Sequence, residues 1–171
     1  MQLVKFIPIV FIIFGIFPYE NLVHAGTENP QNYKVLAAKN KKLSIDNVKY
    51  YLKEGDKFIN NGDFDKAKES YLDARKLAKQ IASFYKDLNT AFNGIDARIP
   101  IEVQGKGKET LQILAESNKR LAALYIKNGK PDVAVPLLIE TIRIMSPKSL
   151  EGKEAYENLI QLGFVETKYK G

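Results

Sequence analysis

Between residues 51 and 79 the chain reads YYLKEGDKFINNGDFDKAKESYLDARKLA, and seven positions in it narrow the fold more than any other feature. Gly55, Phe58, Gly62, Phe64, Ala67, Tyr71 and Ala74 set small and aromatic residues at spacings of mostly three and four. Such spacings place residues on one face of a helix. Small residues such as Gly55 and Ala67 let two helices approach closely, while Phe58, Phe64 and Tyr71 fill the space between them and beside the turn. NNGD, residues 60–63, supplies the reversal, with Gly62 suited to a left-handed C-terminal cap and Asp63 suited to begin the next helix. The stretch predicts a helical hairpin that folds back at Gly62.

A looser copy follows in LAALYIKNGKPDVAVPLLIETI, residues 121–142. Tyr125, Gly129, Ala134 and Leu138 follow Phe58, Gly62, Ala67 and Tyr71 at a constant offset of 67 residues (125 less 58). Pro131 stands in place of Phe64 and suits a first helical turn, where its missing N–H costs nothing. Ala122 replaces Gly55, Thr141 replaces Ala74, and Pro136 sits early in the next helix.

This pattern resembles the tetratricopeptide repeat family over about 34 residues of the first copy. Tyr51 stands where that family prefers a large aromatic, and Pro147 falls where it places its terminal proline, whereas Glu54 and Lys79 depart from its leucine and proline. The stretch IDARIP, residues 95–100, also resembles small exported repeat proteins of photosynthetic bacteria. The resemblance implies stacked helical hairpins that bind a protein or peptide, with ligand lying against the first helix of each hairpin. Those positions are Lys49, Leu52, Asp56, Ile59 and Asn60, then Lys119, Ala123 and Ile126. Leu52 and Ile59 fit a core equally well. Some family members grip a C-terminal carboxylate with lysine and asparagine; Leu52 and Asp56 occupy those places here, and Asp56 would repel a carboxylate. That activity is therefore not carried over.

An offset close to twice the family period suggests that the middle once held, or still imitates, a third unit. Yet Ala67, Tyr71, Ala74, Ala78, Ile81, Tyr85, Leu88 and Phe92 form one apolar stripe without internal glycine or proline. It predicts a continuous helix over Phe64 to Phe92, roughly 43 Å long. NGIDARIP, residues 93–100, is then a reversal, and a second long helix returns to about Asn128. Its start is weak, because Gly105 and Gly107 each cost about 1 kcal/mol relative to alanine; the pattern firms from Lys108 onward. A last helix runs from about Ser149 to Leu162, where Gly163 stops it. No period-two strand pattern is present, so the class is all-α, with about five helices around a central long antiparallel pair within residues 44–164.

The apolar run Phe6–Phe17 after Lys5, ending in Val23, His24 and Ala25, reads as a signal peptide over residues 1–25. An uncleaved anchoring helix is the alternative, although twelve apolar residues are short for a membrane span. Export to a periplasm or thylakoid lumen follows from the signal reading. Residues 26–43 read as a flexible basic leader and 165–171 as a frayed tail.

Chemistry is bounded by what the exported chain would lack. Its only histidine, His24, leaves with the signal, and the sequence has no cysteine. Imidazole bases, thiolate nucleophiles and nitrogen- or sulfur-ligated metals are excluded on that count. Carboxylate or Ser/Lys chemistry stays formally open, but no spacing singles out a pair. No catalytic, cofactor-binding or metal-binding residue is assigned, and a carboxylate-based hydrolase is kept only as an alternative.

Three further stretches each carry two readings. Asp96 and Arg98 in the reversal offer paired charges to a partner, or Asp96 caps and Arg98 snorkels while Ile95 and Ile99 pack beneath the long helices. QGKGKET, residues 104–110, lacks the spacing of a phosphate loop and fits a frayed helix start. Asn118 lies on the apolar stripe of the returning helix, as a contact or as a hydrogen-bonded interface amide. The formal charge of +6 permits weak attachment to an anionic membrane surface, but lysines interleaved with acids look like solvated helix faces, and a nucleic-acid partner is not expected.

Overall fold

The computed structural model describes residues 42–170. The expected signal segment, and all of the leader except Lys42 and Leu43, lie outside them. The described residues form five helices: α1 (Ile45–Asn60), α2 (Phe64–Phe92), α3 (Arg98–Lys127), α4 (Pro131–Met145) and α5 (Leu150–Gln161). There is no strand among them, and α2 and α3 are the long antiparallel pair.

Three chain reversals use one local device. Gly62, Gly129 and Gly163 have φ of +78°, +69° and +78°. In each, the N–H after the glycine bonds a carbonyl five residues back: Asp63 to Phe58, Lys130 to Tyr125 and Phe164 to Leu159. This closure satisfies carbonyls that a helix end leaves open, and glycine takes the left-handed conformation without a Cβ penalty. The next helix begins at once: Asp63 Oδ1 accepts from the Lys66 N–H at 3.3 Å, and Pro131 opens α4. Ser44 and Ser149 cap α1 and α5 in the same way as Asp63 caps α2.

Small side chains set the helix spacing. A Cβ built on Gly55 would lie 2.3 Å from Tyr71 Cε1, so α1 and α2 meet there with no room for a side chain. Ala67, Ala74, Ala78, Ala122, Ala134 and Ala155 are all buried, and Val48, Leu52, Leu114, Leu121, Leu138 and Leu159 fill the core between them. Each such leucine contributes about 1.5–3 kcal/mol by leaving water. Thr110, Ser117 and Thr141 are buried too, each hydroxyl donating to the carbonyl four residues earlier.

The long pair reaches beyond its neighbours. Gly55 faces Tyr71 and the two helices are antiparallel, so Ile45 at the start of α1 falls opposite Ile81. Glu140 meets Asn118 across α3 and α4, so Met145 falls opposite Ile113. On the α1 side Lys49 reaches Glu109, so residues 82–92 of α2 and 98–108 of α3 project as a two-helix arm, each about 16 Å long. The arm also explains the middle of the chain. Because α1 touches α3 directly, through Lys49 to Glu109 and Asp56 to Arg120, no third hairpin lies between the two copies.

Two expectations are corrected. α3 starts at Arg98 and runs unbroken through Gly105 and Gly107, because packing on α2 outweighs the glycines' low propensity. Ile95 does not pack beneath the helices: it is 79% exposed at the arm's tip. The tail also lies back on α5, where the Tyr156 hydroxyl donates to the Thr167 carbonyl at 2.7 Å and the Tyr156 and Tyr169 rings meet edge to face.

Candidate functional site

The positions expected to face a ligand lie on α1 and α3, and these two helices run in the same direction beside each other with α5 on the far side of α3. The charged members of the set already have partners. Lys49 Nζ is 3.1 Å from Glu109, and Lys119 Nζ is 2.7 Å from Glu154 on α5. Asp56 accepts from Arg120 Nε at 2.9 Å and Nη2 at 3.1 Å, and from the Tyr71 hydroxyl at 2.7 Å, while Arg120 also holds Glu116. Burial pushes the Asp56 carboxyl up, but Arg120 and Tyr71 together outweigh it and hold it below the usual carboxylate range. Burial and the same carboxylate raise the Tyr71 phenol above its ordinary value. This face is a set of ties between helices.

The apolar members divide. Leu52 is 5% exposed and belongs to the core, so it offers nothing to a ligand; one turn of α1 faces α2 and α3 at that point. Ile59 and Ile126 are half-buried against the core. Asn60 and Ala123 are exposed. Asp96 and Arg98 sit at the arm's tip, roughly 30 Å along α2 from Tyr71, and pair with each other at 2.6 Å and 3.0 Å. The structure thus does not gather the ten residues into one site.

A second polar cluster lies on the side of the long pair that α4 covers, and of its members the sequence singles out Asn118 alone. Asn118 is fully buried; its Oδ1 accepts from Arg75 Nε at 2.7 Å and its Nδ2 donates to Glu140 Oε2 at 3.0 Å. Glu140 also receives Arg75 and Lys79, each at 2.7 Å. Burial pushes the Glu140 carboxyl up, and Lys79, Arg75 and Asn118 bring it below its ordinary value. Every buried side-chain nitrogen and oxygen among the described residues has a partner, so this cluster ties α2, α3 and α4 without an orphaned group.

Open surface is found on the arm. A groove of about 590 Å³ runs between its helices, with Ala82, Tyr85, Val103 and Leu111 on the floor and Lys86 and Lys108 on opposite walls. Gly107 opens it: a Cβ there would lie 3.6 Å from Tyr85 Cβ, and nothing extends further. Outside the groove, Phe84, Ile95 and Ile101 are 49%, 79% and 71% exposed. A second groove, of about 500 Å³, separates α5 from the tail and is lined by Lys153, Tyr156, Glu157, Lys168 and Lys170 among others. Neither groove holds a pair of carboxylates, and no group of three or more metal-ligating side chains occurs among the described residues. None of the described helices is long and apolar enough to cross a membrane.

No protein-family model matches the chain, and no match is found among curated proteins or solved structures.

Proposed function

We propose that the chain is a non-enzymatic scaffold or assembly factor, built of tetratricopeptide-type hairpins and acting outside the cytoplasm by protein–protein contact. The arm carries this reading. Helices α2 and α3 continue for several turns past everything that covers them, and the extension bears exposed Phe84, Ile95 and Ile101 where a connection between two core helices needs only a turn. We take these three exposed apolar side chains, carried on a projecting element, as its interaction surface. The supporting chemistry is the lack of histidine and cysteine after residue 25 and the absence of a carboxylate pair in either large groove.

The test compares the full chain with a Phe84→Ser, Ile95→Ser, Ile101→Ser variant, each produced with its own leader in the native envelope. Crosslinking followed by native mass determination should give one complex of defined stoichiometry for the unaltered chain and little or none for the variant. Equal recovery by both chains, or no protein partner for either, would refute the scaffold reading.

A further inference from the structure

The scaffold reading says nothing of where on the arm a partner sits or what chemistry it has. We propose that the groove beside Gly107 takes an amphipathic segment of a partner protein, with an apolar stripe flanked by carboxylates, and that this segment extends the layer that α4 begins. The inference rests on the scaffold reading.

The register of the helices places the groove. Arg75 meets Asn118 and Tyr85 meets Gly107, so α2 and α3 keep one antiparallel register from the core into the arm. Over the core half of that pair, the side bearing Arg75, Lys79 and Asn118 is covered by α4 through Glu140. α4 ends at Met145, opposite Ile113, and the groove's nearest floor residue is Leu111. The trough therefore opens where the third layer stops, and a helical segment laid in it meets the same two walls that α4 meets one turn earlier. Antiparallel helices present such a trough to the apolar stripe of a third helix.

Charge selects the segment. Lys86 stands on the α2 wall and Lys108 on the α3 wall, neither enters an ion pair among the described residues, and no acid lines the groove. On α3, the nearby acids turn elsewhere: Glu109, at the base of the arm, pairs with Lys49 on α1, and Glu102 pairs with Lys106. α4 itself shows the pattern at the neighbouring position, an apolar stripe with Glu140 set between the basic residues Arg75 and Lys79 of α2. A partner with carboxylates beside its apolar stripe would repeat that contact at Lys86 and Lys108. Complementary charge of this kind steers association and fixes register more than it adds affinity.

The test uses the mature chain, residues 26–171, and fluorescein-labelled 18-residue model peptides read by anisotropy. One peptide carries a leucine and phenylalanine stripe flanked by glutamate, the second the same stripe flanked by lysine, and the third the glutamate composition with the stripe scrambled. The first should bind on the order of tenfold more tightly than either other, and less tightly as salt rises. Lys86→Glu with Lys108→Glu should reverse the preference between the first two. Gly107→Leu should abolish binding while leaving the melting temperature equal or higher, since it fills the floor and replaces a helical glycine. Indifference to peptide charge, or unchanged binding by Gly107→Leu, would overturn the proposal. So would selective binding to phosphatidylglycerol vesicles, or a dimer of the chain itself, abolished by these same substitutions. A native complex that forms normally with Gly107→Leu but fails with the Phe84, Ile95 and Ile101 variant would sink the groove and leave the scaffold standing; selective peptide binding without any native partner would do the reverse.

Discussion

Replacing Gly55 by alanine adds one methyl group where α1 crosses Tyr71, and the structure fixes what that methyl meets. It would lie 2.3 Å from Tyr71 Cε1 and 2.5 Å from Cδ1, against an optimal carbon separation of about 3.5–4.0 Å. The ring has to retreat by roughly 1 Å. It is 3% exposed, and its hydroxyl donates to Asp56 at 2.7 Å. Retreat therefore loosens the group that also receives Arg120 and joins α1 to α3. Overpacking costs about 1–3 kcal/mol, and a weakened hydrogen bond to a carboxylate about 1.5 kcal/mol. Alanine's better helix propensity offsets about 1 kcal/mol. The net expectation is a loss of about 2 kcal/mol, or about 6–8 °C in melting temperature for a folded region of this size. Thermal unfolding followed by far-UV circular dichroism reads it directly. Gly105→Ala is the control, because nothing lies within 4 Å of its added Cβ, and it should stabilise by up to about 1 kcal/mol. The same Gly55→Ala change in a Tyr71→Leu background should cost much less, since the atoms that clash are gone. If Gly55→Ala melts at or above the parent temperature, the close approach of α1 and α2 is not what this glycine serves.

Three other outcomes are expected. Gly152→Ala should unfold the C-terminal helix or lower stability by about 3 kcal/mol, because its Cβ would lie 2.0 Å from the Ser146 carbonyl oxygen, whereas Ser146→Gly should raise the melting temperature by relieving a serine at φ +72°. Asn118→Ala should lower the unfolding free energy in urea by about 2–3 kcal/mol, since it empties a buried site and removes a partner from both Arg75 and Glu140; a change under about 0.5 kcal/mol would show the cluster to be without structural weight. Acid should destabilise the fold through Asp56 and Glu140, both held below their ordinary values of 3.8 and 4.5. A depressed folded-state carboxyl contributes fully above its unfolded value and loses that contribution as pH falls through its folded value, so the melting temperature should drop below about pH 4. Asp56→Asn with Glu140→Gln should flatten that drop, and an unchanged profile would count against both ion clusters.

The helix boundaries other than the start of α3 were legible because their causes are local. Gly62, Gly129 and Gly163 announce the same cap, and the stripe from Ala67 to Phe92 sets the length of α2 before any tertiary contact is known. The surface was not legible, because what decides it is long-range. Lys49 and Glu109 are 60 residues apart in sequence, and Lys119 and Glu154 are 35 apart. Only the packing of α1, α3 and α5 turns these from ligand-facing charges into ties between helices. Leu52 could be read either way from its spacing, and burial decides for the core. The groove has a local signal in Gly107, which by itself reads as a cost to the helix or as part of a loop in QGKGKET. Its meaning needed the register that sets Gly107 against Tyr85.

The constant offset of 67 residues between the two hairpins acquires a physical meaning from the arm. With α1 lying directly on α3, the residues between the copies cannot form another layer; they lengthen α2 and α3 instead. Such lengthening is inexpensive for the chain, because the costly nucleation of both helices has been met in the core and each added turn only propagates. It brings little core burial in return, since α2 has no buried residue beyond Ile81 and α3 has only Val103 before Thr110. A core that needed only connecting would gain nothing from Gly105 and Gly107, each disfavoured by about 1 kcal/mol in a helix. The arm is therefore an appendage of the core, and it should be separable from it. Deleting residues 85–91 and 101–107 together removes about two turns from each helix and keeps the facing sides in phase. The shortened chain should melt within a few degrees of the parent, corresponding to less than about 1 kcal/mol, and should lose the acidic peptide. A shortened chain that no longer folds would place the arm inside the cooperative core and remove the ground for reading its surface as made for a partner.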